Sequence, residues 1–328
     1  MPTTHRLLCG PRTVHWGFFD AALAPVLTLA SGDELIVDSV NGGTLEVAGC
    51  PFPILPEHLA IHQECAPRLG PHILTGPVAI RGAMAGDVLE VAILDVKLRA
   101  SWGFNAIKPL RGTLPEDYPF LRVLHIPIDL DRQECHLSFG PSLPLRPFFG
   151  ILGVAPPPAC GAISSIEPRE HGGNIDLKEL TAGTRLFLPV FAEGALFSVG
   201  DGHAVQGDGE VCLTALETCL SGRFRLTLHK QLPLVSNSRP LMRPIALTPT
   251  HVITLGMDPD LDDAAKTALR DMIALLAEAN GWSSADAYSF CSMACDLRVT
   301  QLVDGNKGIH AMVQRRYLRE PPREPTQD

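Results

Sequence analysis

The chain has 328 residues, 45% of them hydrophobic and 19% charged, with a formal net charge of −9. That length suits one large or two moderate domains with real cores. The acidic balance, with Lys and Arg scattered, argues against a nucleic-acid binder. Glycine and proline number 29 each, a turn-rich composition that predicts a β-dominated protein. No run of 18 apolar residues occurs, so no membrane span is expected. The opening MPTTHRLLCG lacks the apolar core of a leader. Nine cysteines without a CxxC pair predict free thiols in a reducing compartment, and so a cytoplasmic location. Cys291 and Cys295 are four apart, which is no standard redox motif. The dense basic cluster Arg315, Arg316 and Arg319 reads as a solvated tail.

In chain order, 24–29 (APVLTL) and 34–40 (ELIVDSV) read as strands around the turn Ser31-Gly32-Asp33. Alternation puts Asp38 on the face of Ile36 and Val40. It is therefore either a buried carboxylate with a partner or a solvated strand end before Asn41-Gly42-Gly43. Residues 76–80 and 88–96 form a second strand pair around Met84 to Asp87. The pattern GDxLxV occurs at Gly32 and again at Gly86, each time as a turn followed by a strand. Residues 101–160 are rich in proline and read as loop with short apolar runs at 121–126 and 148–154. Strands are expected again at 185–189, 195–199, 211–219 and 224–229.

The C-terminal part changes character. Apolar residues at Leu261, Ala265, Ala268, Leu269, Met272, Ile273 and Leu276 have helical spacing, with acids at the start and Gly281 at the end. Ser283 or Ser284 caps a second helix through about residue 295, and 297–303 reads as a strand. The expected fold is mainly β, a sandwich or barrel-like body over 1–250, with an α+β subdomain over 251–328.

The stretch Gly200 to Glu210 (GDGHAVQGDGE) is the most informative. It reads as a glycine-rich polar loop between strands, where backbone can approach a ligand. Asp201 and His203 are two apart, as are Asp208 and Glu210, and on extended chain each pair points one way. Together they could surround one cation or serve turn amides. His171-Gly172-Gly173-Asn174-Ile175-Asp176 forms a second cluster, either site or turn with Asp176 as an N-cap. His15 with Trp16, Trp102 with Asn105, and His72 read as structural.

These motifs resemble the acetamidase/formamidase family. The resemblance is carried by 13–39, 74–96, 146–156, 171–211 (HGGNID through GDGHAVQGDGEV) and 287–304, which together span nearly the whole chain. It implies hydrolysis of a short carboxamide to carboxylate and ammonia, a bound metal, and an oligomer. The mean hydropathy of +0.14 also leans toward a homodimer or larger homo-oligomer. The resemblance draws Asp38 with Asp201 and His203 toward a divalent ion, Zn²⁺ first, with Ca²⁺ as the alternative for an oxygen-rich set. It makes Glu210 the expected general base, then acid, with His171 and Asp176 as further catalytic residues. Asn174, Gly173 and Gln206 are expected to bind substrate; Asp208 is unassigned. The sequence departs from the family at SVNGG after Asp38 and at Cys212-Leu213-Thr214-Ala215, which leaves the substrate open. The rival readings are a non-catalytic β protein that binds a metal or small molecule, and a hydrolase of another amide or ester.

Overall fold

The computed structural model describes residues 2–234 and 240–319. Two large sheets make up the body. The first has nine strands in the order Thr4–Leu7, Glu34–Asp38, Leu220–His229, Val88–Leu98, Arg185–Pro189, Ile245–Leu247, His251–Asp258, Lys307–Gln314, Cys295–Gln301. The second has eleven. Its main path includes Arg122–Asp129, Trp102–Ile107, Leu216–Glu217, Phe197–Val205, Phe148–Gly153 and Gly172–Asn174, and Ile73–Ile80 also joins Phe197–Val205.

The sheets pack face to face. Leu35, Val37, Leu89 and Val91 of the first meet Val78, Phe149, Leu152, Phe197 and Val199 of the second in one buried core. Phe224 crosses the interface, its ring centroid 5.6 Å from Phe149 and 6.1 Å from Phe197. Each buried side chain of this size contributes about 1.5–3 kcal/mol, so the sandwich is a firm support for whatever its strands carry. The body is mainly β, as its composition predicts.

The C-terminal helices follow the predicted caps. Asp260 accepts from the amides of Asp262 and Asp263 at the start of Leu261–Asn280, and Gly281 closes it at φ 69°. Ser283 caps Ser284–Ala294 by accepting from Asp286 N. The long helix lies so near the sheet that a Cβ at Gly256 would fall 1.9 Å from the Ala264 carbonyl. The boundary expected near 250 falls between Ile245–Leu247 and His251–Asp258, which pair antiparallel in one sheet. The body and the C-terminal unit therefore share hydrogen bonds as well as a core, which also includes Ile253 and Met312.

Three expectations are corrected. Residues 200–205 are not loop: the strand Phe197–Val205 runs through them. Residues 211–215 are turn, and the expected strand at 211–219 shrinks to Leu216–Glu217. Five strands lie within 101–160 despite its prolines. Among the described residues, no helix is long and apolar enough to cross a membrane.

Candidate active site

The second sheet delivers the central residues by register. His203 sits opposite Phe148 on one neighbouring strand and Glu217 on the other. Asp201, two residues earlier, shares its face, as the spacing predicts. Asp176 follows the strand Gly172–Asn174, and its amide donates to Gly150 O at 3.1 Å. Glu210 comes from the turn between the strands Phe197–Val205 and Leu216–Glu217. Asp304 arrives from the last hairpin. Asp176, Asp201 and Glu210 all have left-handed backbone, at φ 52°, 56° and 46°. Such backbone costs roughly 1–3 kcal/mol per residue and persists where surrounding structure imposes it.

His203 is the hub. Its Nε2 is 3.2 Å from Asp201 Oδ2, 3.2 Å from Glu217 Oε2 and 4.0 Å from Glu210 Oε1. Its Nδ1 is 2.9 Å from Gln206 Oε1. Gln206 Nε2 donates to the Asp176 carbonyl at 2.9 Å, so Oε1 is the acceptor and Nδ1 carries the proton. In a neutral ring the Nε2 lone pair then faces two carboxylates. Only a proton or a metal ion between them makes that arrangement favourable. Asn41 Nδ2 supports the acids, donating to Asp201 Oδ1 at 3.1 Å and to Glu217 Oε2 at 2.6 Å.

Burial sets the charge states. It pushes the Asp176 carboxyl up to about 6, with Asp201 adding to the effect. It pushes Glu217 up to about 7. Glu210 and Asp304 rise well above the usual range, first by burial and then by repulsion from Asp176. Burial opposes charge on His203 and Asp201 too, but their attraction wins. Glu217 and Asp201 hold the imidazole well above its ordinary value, and His203 holds Asp201 well below its own. In the ion-free protein Asp176 and Glu217 keep protons that the unfolded chain releases near pH 4. Stability should therefore fall as pH rises from about 4 to about 7. Urea midpoints at pH 5 and pH 7 after chelation check this, and a midpoint that rises with pH would refute it.

The donor set fits a divalent ion. Two donor atoms about 2.1 Å from one Zn²⁺ at a tetrahedral angle stand about 3.4 Å apart, close to the 3.2 Å separations around His203 Nε2. Asp201, His203 and Glu217 form one metal-capable group, and Asp176, His203 and Glu210 form another. His203 Nε2 and Asp176 Oδ1 are buried without a hydrogen-bond partner.

A cavity of about 260 Å³ opens on this cluster. Its polar wall includes Asn41, Asn174, Asp176, Asp201, Glu210, Glu217 and Asp304, with Lys108 and Arg111 also in the lining, and its apolar wall includes Phe104, Ile166, Leu213 and Val303. Asn174 Nδ2 donates to Ile166 O at 3.1 Å, which leaves Oδ1 buried without a partner.

Several expected residues lie elsewhere. Asp38 is buried, but it faces Arg6 at 3.5 Å and Arg99 at 3.8 Å instead of the cluster. Its strand ends there and the chain turns, so Asn41 is the residue that reaches Asp201. His171 packs edge-on against Phe19 at 4.8 Å, and burial, then Arg169, lowers its pKa to about 3. It does not line the cavity, and neither do Gly173 and Gln206. Gln206 orients His203 from behind. Asp208 pairs with Lys178 Nζ at 2.8 Å. His72, read as structural, does line the cavity and bonds Ser165 Oγ at 2.9 Å.

A β-sandwich with five buried carboxylates around one imidazole, open to a small cavity, defines a protein built to bind and transform a small polar molecule. The chain belongs to the acetamidase/formamidase family, whose profile matches residues 67–162 and 157–313. It is 27% identical over 233 residues to a formamidase of Methylophilus methylotrophus, a match covering 55% of this chain and 57% of the relative. It is 29% identical over 199 residues to an acetamidase of Mycolicibacterium smegmatis, covering 43% and 49%. The chain thus matches about half the length of these curated relatives. The crystal structure of an acetamidase from Bacillus halodurans superposes with a TM-score of 0.80 at 29% identity, covering 95% of this chain and 98% of that one. A γ-lactamase from Delftia acidovorans, at 22% identity and a TM-score of 0.60, shares the fold.

Proposed function

We propose that this chain hydrolyses the C–N bond of a short carboxamide, of formamide or acetamide type, to a carboxylate and ammonia. One observation carries the reading. His203 Nε2, buried without a hydrogen bond, stands 3.2 Å from Asp201 and Glu217, two carboxylates that line a cavity together with the protonatable Glu210. Asp201, His203 and Glu217 are the residues to hold a divalent ion, Zn²⁺ first. Such an ion polarises a carbonyl and makes water more acidic.

The remaining steps belong to the chain. Asn174 Oδ1 accepts from the substrate NH₂ group and turns the amide. Water adds to the carbonyl carbon and yields its proton to Glu210. The C–N bond then breaks, and the same proton goes to nitrogen. Ammonia leaves, because an amide anion is too basic to depart. Asp176 and Asp304, buried beside Glu210, disfavour its charge by repulsion.

The test is ammonia release from formamide, acetamide and larger amides, before and after chelation and after Zn²⁺ is restored. Turnover lost with the ion and regained with Zn²⁺ is expected. No turnover on any amide, together with a chelator-induced drop in melting temperature, would establish the rival reading, a binding protein with a structural ion.

We further infer a homo-oligomer. The segment 108–145 exposes Leu110, Leu114, Tyr118, Phe120, Leu121 and Phe139, and this concentration of exposed apolar side chains in one segment supports burial against a second copy. Light scattering should give a multiple of the chain mass; a monomer would refute it. The free state of all nine cysteines supports a cytoplasmic location.

A further inference from the structure

A second cluster lies outside the His203 centre. Glu179 follows the Asp176 segment, Asp208 belongs to the turn that carries Glu210, and His310 sits on the strand Lys307–Gln314. One donor atom from each lies within 4.8 Å of the others. His310 is 0% exposed. Its Nδ1 is 2.8 Å from Thr300 Oγ1, which leaves Nε2 directed at Glu179 Oε2 across 3.6 Å. Neither of those two buried atoms has a hydrogen-bond partner. At that distance they do not satisfy each other, and a cation between a neutral imidazole nitrogen and the carboxylate would satisfy both.

The remaining contacts are cationic. Arg298 Nη1 is 3.3 Å from Glu179 Oε1, and Lys178 Nζ is 2.8 Å from Asp208 Oδ1. Arg298 therefore uses the Glu179 oxygen that does not face His310. Lys178 is the competing occupant, and its flexible stem lets the ammonium withdraw to water. Exposed Asp208 gives an ion its way in, while buried His310 gives it a nitrogen ligand.

We propose that Glu179, Asp208 and His310 form a second divalent-cation site, sharing no ligand with the His203 centre. One nitrogen and two carboxylates suit Zn²⁺ and its first-row neighbours. The site is structural. The turn between Asp208 and Glu210 is already tied to the last hairpin, with Gly209 N donating to Thr300 O at 3.2 Å and Leu302 N to Gly209 O at 3.1 Å. A cation bridging Asp208 to His310 adds a third tie across the same seam, one residue from the Gly209 contacts.

The test is titration of the chelator-treated full chain with Zn²⁺ by calorimetry, with metal content measured after gel filtration. His310→Gln should lose one equivalent and keep the one removed by His203→Gln. Asp208→Asn, a change at the surface, should weaken that same equivalent by at least about tenfold without unfolding the chain, so it decides the matter if His310→Gln does not fold. Lys178→Met should tighten it. Identical stoichiometry and affinity in the native chain, His310→Gln and Asp208→Asn would overturn the proposal. One equivalent sensitive only to His203→Gln would end this site and leave the catalytic reading standing; one sensitive only to His310→Gln and Asp208→Asn would do the reverse.

Discussion

Glu210→Gln should lower kcat for amide hydrolysis by about 10²–10⁴-fold while the fold and the bound ion survive. Glutamine matches the shape of glutamate but cannot take a proton from water. Burial and the nearby Asp176 raise the Glu210 carboxyl far above its ordinary value. A cation held by its neighbours would offset that effect and leave the carboxylate charged and free to accept water's proton, while burial would then favour giving the proton on to nitrogen. The substitution also removes one member of a mutually repelling set. The ion-free variant should therefore melt higher than the native chain, so loss of rate cannot be blamed on loss of structure. Steady-state kinetics with a melting curve reads both, and an unchanged kcat would remove Glu210 from the reaction.

Gly150→Ala should be nearly as damaging, although it adds one methyl group and no charge. A Cβ at Gly150 would stand 2.4 Å from Asp176 Oδ1, 2.6 Å from Asp201 Oδ2 and 2.8 Å from His203 Cε1. These belong to three separate buried residues of the cluster, whose short side chains have little room to move aside. A misplacement of about 1 Å costs about 10²-fold where reacting groups must be positioned. Overpacking adds roughly 1–3 kcal/mol of destabilisation. The expected result is a loss of at least about 100-fold in kcat/KM with a lowered but cooperative melt. Native activity in this variant would mean that the three groups do not work at the spacing seen.

How legible the molecule was in its sequence depends on which forces act locally. The helix Leu261–Asn280 and its caps could be read because Asp260 and Gly281 act within one turn of it. Asp201 and His203 were legible as a pair because strand periodicity alone puts them on one face. The strand beneath them was not, since its glycines read as loop; they are there because backbone crowds them, Gly200 against Ile73 O and Gly202 against Thr218 O. Glu217 was missed although it carries a signal, a lone acid in the apolar run Ala215 to Leu220. Asn41 was read as turn because nothing local shows that it reaches Asp201, 160 residues away. Asp38 and His171 looked like site residues by motif, but their partners, Arg99 and Phe19, are set by tertiary packing. Asp304 is brought in by the last hairpin, a pairing no window of sequence displays.

That last hairpin also orders events in time. During synthesis Asn41, Asp176, Asp201, His203, Glu210 and Glu217 all emerge before residues 300–304, which supply both Asp304 and the backbone contacts that hold Gly209. A nascent body can collapse around its core with its acids in place, yet its proton-handling turn lacks an anchor. A working centre therefore requires the C-terminal strands, which pair at the edge of the first sheet and bring in Asp304 and the Gly209 contacts.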